Sequence, residues 1–234
     1  MCLSTFQAKR FQRGSNNFMK IITVSKKACT AEANKAIIRW AQHKDKLIVA
    51  IDGYAGVGKT TLLERLSRMN SNILAVNRDD FVRSRKKVRA LFVRKENRQV
   101  LFEREILDIK KIARLVSAFK RNARSCTAQT YDYVSGKVDV RKKFDTTKPI
   151  MAIEGVFMFH SALLNHLWDK RIYLDGNVDR IDKQRVMREK KKWGSEYFPE
   201  THPNSFIRYI TLALKQYRKK QRPEKMADLV LYIE

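Results

Sequence analysis

Residues Gly53-Tyr54-Ala55-Gly56-Val57-Gly58-Lys59-Thr60 satisfy the pattern G-x-x-x-x-G-K-[ST], and they follow directly on the apolar run Leu47-Ile48-Val49-Ala50-Ile51. A turn of this kind dictates what surrounds it. Its glycines let the backbone curl until several N–H groups face one point, where no side chain blocks an anion. A strand has to deliver the turn and a helix has to leave it, because the positive end of the helix dipole completes the cradle. Lys59 then reaches the β- and γ-phosphates of a nucleotide, and the Thr60 hydroxyl is offered to Mg²⁺. The expected nucleotide-binding set is therefore Gly53, Tyr54, Ala55, Gly56, Val57, Gly58, Lys59, Thr60 and Thr61, with ATP and Mg²⁺ as cofactors. Chance alone places the pattern in about one chain per hundred of this length. Its position between a strand and a helix makes it diagnostic.

The rest of the chain supports the context that the turn needs. Ala33, Ala36, Ile37 and Trp40 recur at helical spacing and predict a helix from Thr30 to about His43. Helices are also predicted over Thr60 to Met69, Gln99 to Lys120, Ser161 to Trp168, Val178 to Lys192 and Asn204 to Lys219. Short apolar runs predict further strands at Ile73 to Val76, Ile150 to Ile153, Arg171 to Leu174 and Leu229 to Ile233. Alternation of strands and helices predicts an α/β fold, a mostly parallel sheet flanked by helices with ligands at the carboxyl ends of the strands. The last helix, with Phe206, Tyr209, Ile210, Ala213 and Tyr217 in register, either faces the core or forms the seam of a homodimer.

Lys and Arg number 50 against 24 Asp and Glu, a formal charge of +26, while 44% of residues are apolar. That apolar share is enough for one domain of ordinary size and argues against disorder. No apolar stretch approaches the roughly 18 residues of a spanning helix, so no membrane association is expected. The three cysteines, Cys2, Cys29 and Cys126, lack metal-binding or disulfide-framework spacing, which points to a reducing, cytoplasmic setting. Residues 1–31 contain no acid and read as a frayed basic leader. The positive field draws in polyanions, yet no RNA-recognition, zinc-finger or basic-zipper pattern joins it to a docking geometry.

Phosphoryl transfer also needs an acid near the metal and a group that orients or deprotonates the acceptor. Ile150-Met151-Ala152-Ile153 ends in Glu154, a carboxylate delivered to the ligand end of a strand and an expected metal partner beside Thr60. Asn77-Arg78-Asp79-Asp80-Phe81 follows the next predicted strand, and Asp79 is the candidate base. An extended backbone cannot aim both adjacent carboxylates into one crevice. The alternative is that the pair caps a helix starting near Phe81.

Taken together, these motifs resemble the uridine kinase-like branch of P-loop kinases, which includes uridine-cytidine, pantothenate, phosphoribulose and nicotinamide riboside kinases. The resemblance spans about residues 46–231. It rests on Ile51-Asp52-Gly53, Arg78-Asp79-Asp80-Phe81, Tyr131-Asp132-Tyr133, Ile153-Glu154-Gly155-Val156-Phe157, Arg185 and Arg188, and Ala227-Asp228. It implies a P-loop kinase domain over residues 46–234, preceded by a basic leader and helix over 1–45, with a small basic lid at about 178–198. It further implies Lys59, Asp79, Arg185 and Arg188 as catalytic residues, Thr60, Glu154 and Asp79 around Mg²⁺, and Asp79 with Tyr131 on the acceptor. Three residues apart on a predicted helix, Arg185 and Arg188 can face the same way. Uridine-cytidine kinases carry a histidine where this chain has Gly136. The expected activity is transfer of the γ-phosphoryl group of ATP to a hydroxyl of a small, nucleoside-like or other polar metabolite. A nucleic-acid-binding NTPase or a polynucleotide 5′-hydroxyl kinase is the second reading, motivated by the charge.

Overall fold

In a computed structural model, which describes residues 8–13, 17–94, 100–202 and 205–234, strands and helices alternate through most of the chain. In order they are β1 (Ala8–Arg13), β2 (Asn17–Val24), α1 (Ala28–Ala41), β3 (Leu47–Gly53), α2 (Lys59–Met69), β4 (Ile73–Asn77) and α3 (Arg85–Arg94). Next come α4 (Ile109–Lys120), β5 (Cys126–Tyr131), β6 (Val138–Phe144), β7 (Ile150–Glu154) and β8 (Lys170–Gly176). The chain closes with α5 (Val178–Trp193), α6 (Phe206–Gln221), α7 (Pro223–Met226) and β9 (Leu229–Ile233). Seven strands form one sheet in the order β1-β2-β9-β8-β3-β7-β4, parallel at every pairing except β1 with β2. A separate antiparallel ribbon joins β5 to β6.

Every residue of β3 is buried, as a central parallel strand covered on both faces requires. Its alternate side chains feed two cores. Leu47, Val49 and Ile51 pack with Ile37, Leu62, Leu66 and Leu214 of α1, α2 and α6. Ile48 and Ala50 pack on the other face with Leu115, Phe119, Phe159 and Trp168. The parallel registers then align the strand ends: Ile51 beside Glu154, Glu154 beside Asn77, and Gly53 beside Leu174. That alignment brings the phosphate turn, the Glu154 carboxylate and the segment after β4 to one edge.

Several expectations change. The frayed leader gives way to strands, since β2 pairs in parallel with β9 and places Ile22 and Val24 in the core; Cys2 lies outside the described residues. The single helix expected over Gln99 to Lys120, whose first residue is also outside them, is broken before α4. Leu101–Glu105 forms one wide turn, after which Arg83 N–H donates to Ile106 O and Asp108 N–H to Phe81 O. These bonds, with a bridge between Val82 and Leu107, take the backbone groups a continuous helix would use. Ser161 to Trp168 is a series of turns with a short 3-10 turn at Asn165–Leu167, because Trp168 donates its indole N–H to Met158 O and pins the segment back on itself. Asn204 is likewise undescribed, and Ser205 caps α6 by accepting from Arg208 N–H. That helix buries Ile207, Ala213, Leu214 and Tyr217, which is the core-facing reading. The β5–β6 ribbon and α3 were not foreseen. Among the described residues no helix is long and apolar enough to cross a membrane.

Candidate active site

Gly53, last residue of β3, enters the phosphate turn at φ +157°, and a Cβ there would lie 2.5 Å from Leu174 O of the adjacent strand. Gly58, at φ +109°, lets the turn pass into α2 through a left-handed residue. The turn thus forms because glycines stand at positions where side chains are excluded by backbone or by conformation. Lys59 folds back into it, donating to Gly53 O and Tyr54 O at 3.0 Å each. It is 6% exposed, so the ammonium is an inward group of the turn rather than a solvent-directed one outside the core.

The neighbouring strand end supplies the acid. Thr60 Oγ1–H donates to Glu154 Oε1 at 2.9 Å. Burial raises the Glu154 carboxyl above the usual carboxylate range and lowers the Lys59 ammonium, while each pulls the other back toward its charged form. Thr60 and Glu154 offer hydroxyl and carboxylate oxygens, the hard donors that suit Mg²⁺, and a P-loop site completes the shell with phosphate oxygens and water. Among the described residues no cluster of three or more His, Cys, Asp or Glu forms a self-sufficient metal cage.

Asp52, one residue before the turn, is a buried carboxylate that the sequence reading quoted in a motif without giving it a role. Its Oδ1 accepts from Gly53 N–H at 2.7 Å, and its Oδ2 accepts from Tyr217 O–H at 2.6 Å and Phe159 N–H at 3.2 Å. Burial raises its pKa, an effect that the Tyr217 hydrogen bond and the Lys59 charge partly offset. The three donors tie the start of the turn to α6 and to the segment following Glu154.

Asp79 sits in a 3-10 turn, Arg78–Phe81, capped by Asn77, whose side chain accepts from Asp79 N–H. Neither acid is the cap. Asp80 turns away to Lys142 Nζ at 2.6 Å, whereas Asp79 accepts from Arg78 Nη1 at 3.0 Å and from the Tyr133 hydroxyl at 3.1 Å. The Asp79 side chain is 43% exposed and so can meet an incoming hydroxyl. Burial and the adjacent Asp79 both push the Tyr133 phenol up, which keeps it a donor. Tyr131 packs edge-on against Tyr133 with ring centroids 5.2 Å apart. Tyr133 itself was quoted only as part of a motif, and its hydroxyl reaches Asp79 only because the β5–β6 ribbon folds over the strand end.

The lid arginines separate. Arg185 is 5% exposed, donates through Nη2 to Thr211 Oγ1, pairs with Asp182 at 3.1 Å and lies 5.6 Å from the centre of the Tyr54 ring. Its Nε and Nη1 have no partner. Arg188 is exposed and paired with Glu189 at 3.4 Å. One helix thus carries one arginine packed beside the phosphate turn and one in solvent, so the two do not share a face.

Gly136, at φ +71°, closes the ribbon turn, and any Cβ there would fall 2.8 Å from the Arg85 guanidinium. Arg85 also donates to Tyr133 O at 3.0 Å, fixing the turn that carries Tyr133.

A family model described as Phosphoribulokinase / Uridine kinase family matches residues 48–203, the span that contains every residue placed above except Asp52's partner Tyr217 and Arg185's partner Thr211. The chain is similar to a uridine kinase of Chlamydia pneumoniae, 23% identical over 192 residues that cover 80% of this chain and 81% of that protein. It is 22% identical to nicotinamide riboside kinase 1 of Homo sapiens over 176 residues, covering 75% and 78% of the two chains. Among solved structures, that of a possible uridine kinase from Bacillus stearothermophilus superposes with a TM-score of 0.66 at 19% identity, covering 88% of this chain and 98% of the other. Strands β4, β7 and β8, all of β3 but its first residue, the glycine turn at the end of β3 and the acids on the two strand ends beside it lie within the matched span, and this chain belongs to the Phosphoribulokinase / Uridine kinase family.

Proposed function

We propose that this protein is an ATP- and Mg²⁺-dependent kinase of the cytoplasm that transfers the γ-phosphoryl group to a hydroxyl of a small, nucleoside-like or other polar metabolite. The observation that carries this reading is the convergence at adjacent strand ends of a lysine folded into the phosphate turn, a Thr60–Glu154 pair and a half-exposed Asp79. Asp79 accepts the proton of the acceptor hydroxyl, whose oxygen bonds to the γ-phosphorus as the bond to the β,γ-bridging oxygen breaks and ADP departs. Lys59 and Arg185 supply positive charge to the equatorial phosphate oxygens, and Arg188 joins them if α5 moves over the nucleotide. Thr60 and Glu154 would hold Mg²⁺, which when bound would supply neutralisation of phosphate charge. Tyr131 and Tyr133 wall the acceptor and orient Asp79. Most of the rate comes from positioning and preorganised charge.

The test is a screen of hydroxyl acceptors with γ-labelled ATP, run beside the same reaction supplemented with single-stranded RNA and DNA. Label transfer to a small acceptor, unchanged by nucleic acid, is the expected result. Transfer to a polynucleotide 5′-hydroxyl, or hydrolysis stimulated by nucleic acid with a steep salt dependence, establishes the second reading instead. No retention of ATP at millimolar concentration overturns both.

A further inference from the structure

Arg78 is 1% exposed, stands beside the candidate base, and uses only part of its donor capacity. Nη1 donates to Asp79 Oδ1 at 3.0 Å, while Nε and Nη2 have no hydrogen-bond partner among the described residues. A guanidinium is always charged and presents its donors in a fixed planar fork, so two idle donors in a buried setting call for a partner. The seat of this side chain is built into the fold. A Cβ at Gly155, the residue after Glu154, would lie 2.4 Å from Arg78 Cδ and 2.6 Å from its Cβ. Only glycine there admits the arginine stem against the strand end. The Phe157 ring centre lies 6.0 Å from the guanidinium carbon, and Phe157 holds a left-handed φ of +60°. Electrostatically the arginine belongs to the same group of charges as Lys59 and Glu154.

We propose that Arg78 is an oxyanion-binding residue of the catalytic centre, its Nε and Nη2 completing their hydrogen bonds with a substrate oxyanion while Nη1 holds the base. The inference rests on the kinase reading above. The oxyanion has two sources: the γ-phosphoryl group in flight, or a phosphate or carboxylate carried by the acceptor itself. With either source, the Arg78 guanidinium is the fixed positive charge beside Asp79 that receives it.

The experiment uses the full chain and the variants Arg78→Lys, Arg78→Gln and Gly155→Ala, the last displacing the arginine without changing its charge. Binding of ATP and of a non-hydrolysable analogue is measured without acceptor. Transfer kinetics are then measured with hydroxyl acceptors that differ in carrying or lacking an anionic group, at a temperature where circular dichroism shows each variant folded. For a phosphoryl source, kcat falls at least 30-fold in Arg78→Gln for every acceptor, with KM little changed and partial recovery in Arg78→Lys. For an acceptor source, KM for the anionic acceptor rises at least 30-fold, while the neutral one is unaffected. Gly155→Ala reproduces whichever pattern holds. Folded variants with wild-type kcat and KM for all acceptors overturn the proposal, as does a loss of activity that merely follows the loss of folded protein. A wild-type chain that transfers label to no acceptor overturns the kinase reading instead, and the ATP-binding arm tells the two failures apart.

Discussion

The two ends of the candidate site are built by different means. At the nucleotide end, strand, turn and helix are consecutive in the chain. Lys59 bonds to carbonyls five and six residues away, and the geometry is set by glycines that have no alternative. Around Asp79, the expected acceptor end, the contacts that bring the groups together span the fold. The Tyr133 hydroxyl reaches Asp79 across 54 residues, Arg78 leans on Gly155, and Lys142 draws off Asp80 from 62 residues away. The contrast teaches that the glycine turn and the seat of its lysine are built locally, whereas the surroundings of Asp79 are assembled from distant segments.

The difference is open to direct attack. Lys59→Ala is expected to have the largest effect, lowering turnover by about 10³-fold or more in a steady-state assay, because no other side chain is folded into the turn to replace the cation that the proposed reaction needs. Asp79→Asn should lower kcat by about 10²–10⁴-fold, the usual contribution of a positioned base. Its ATP affinity by titration should stay within a few-fold of wild type, and equal losses in both would show that the two ends are not separable. Gly53→Ala forces a methyl group onto Leu174 O and is expected to cost about 1–3 kcal/mol in denaturant unfolding, together with a clear loss of ATP affinity. Tyr133→Phe removes one neutral donor from a partly exposed carboxylate. It should lower kcat by about 3- to 10-fold, corresponding to roughly 1 kcal/mol, with ATP binding and melting temperature unchanged.

The same division governs what could be read in advance. The run Leu47 to Thr60 carries strand, turn and helix signals in one continuous stretch, so the nucleotide end was legible residue by residue. Glu154 was legible because an apolar run ends on it. The acceptor end was not. Strands β5 and β6 contain Gln129, Arg141, Lys142 and Lys143, and one face of the ribbon is solvated, so no apolar run announces it. Its turn is specified by Asp132, whose carboxylate accepts from Val134 and Ser135 N–H, a local signal that says nothing of where the turn lands. Arg78 looks like one more cation in a basic chain until Gly155 is seen beneath it. The helical spacing through Ile106 and Ile109 is real, but backbone bonds to Phe81 and Arg83 override it. The equivalence of Arg185 and Arg188 failed for a related reason: three residues on a helix bring side chains near one another without giving them the same neighbours.

Helix α6 holds Arg185 through Thr211 and Asp52 through Tyr217, six residues further along, a separation of about 9 Å on a helix. One stiff rod therefore grips both Arg185, which packs beside the glycine turn, and Asp52 at the root of that turn. Any displacement of that rod would therefore be felt at both contacts together. A mutation on the far side of α6 that touches no substrate should disturb both at once.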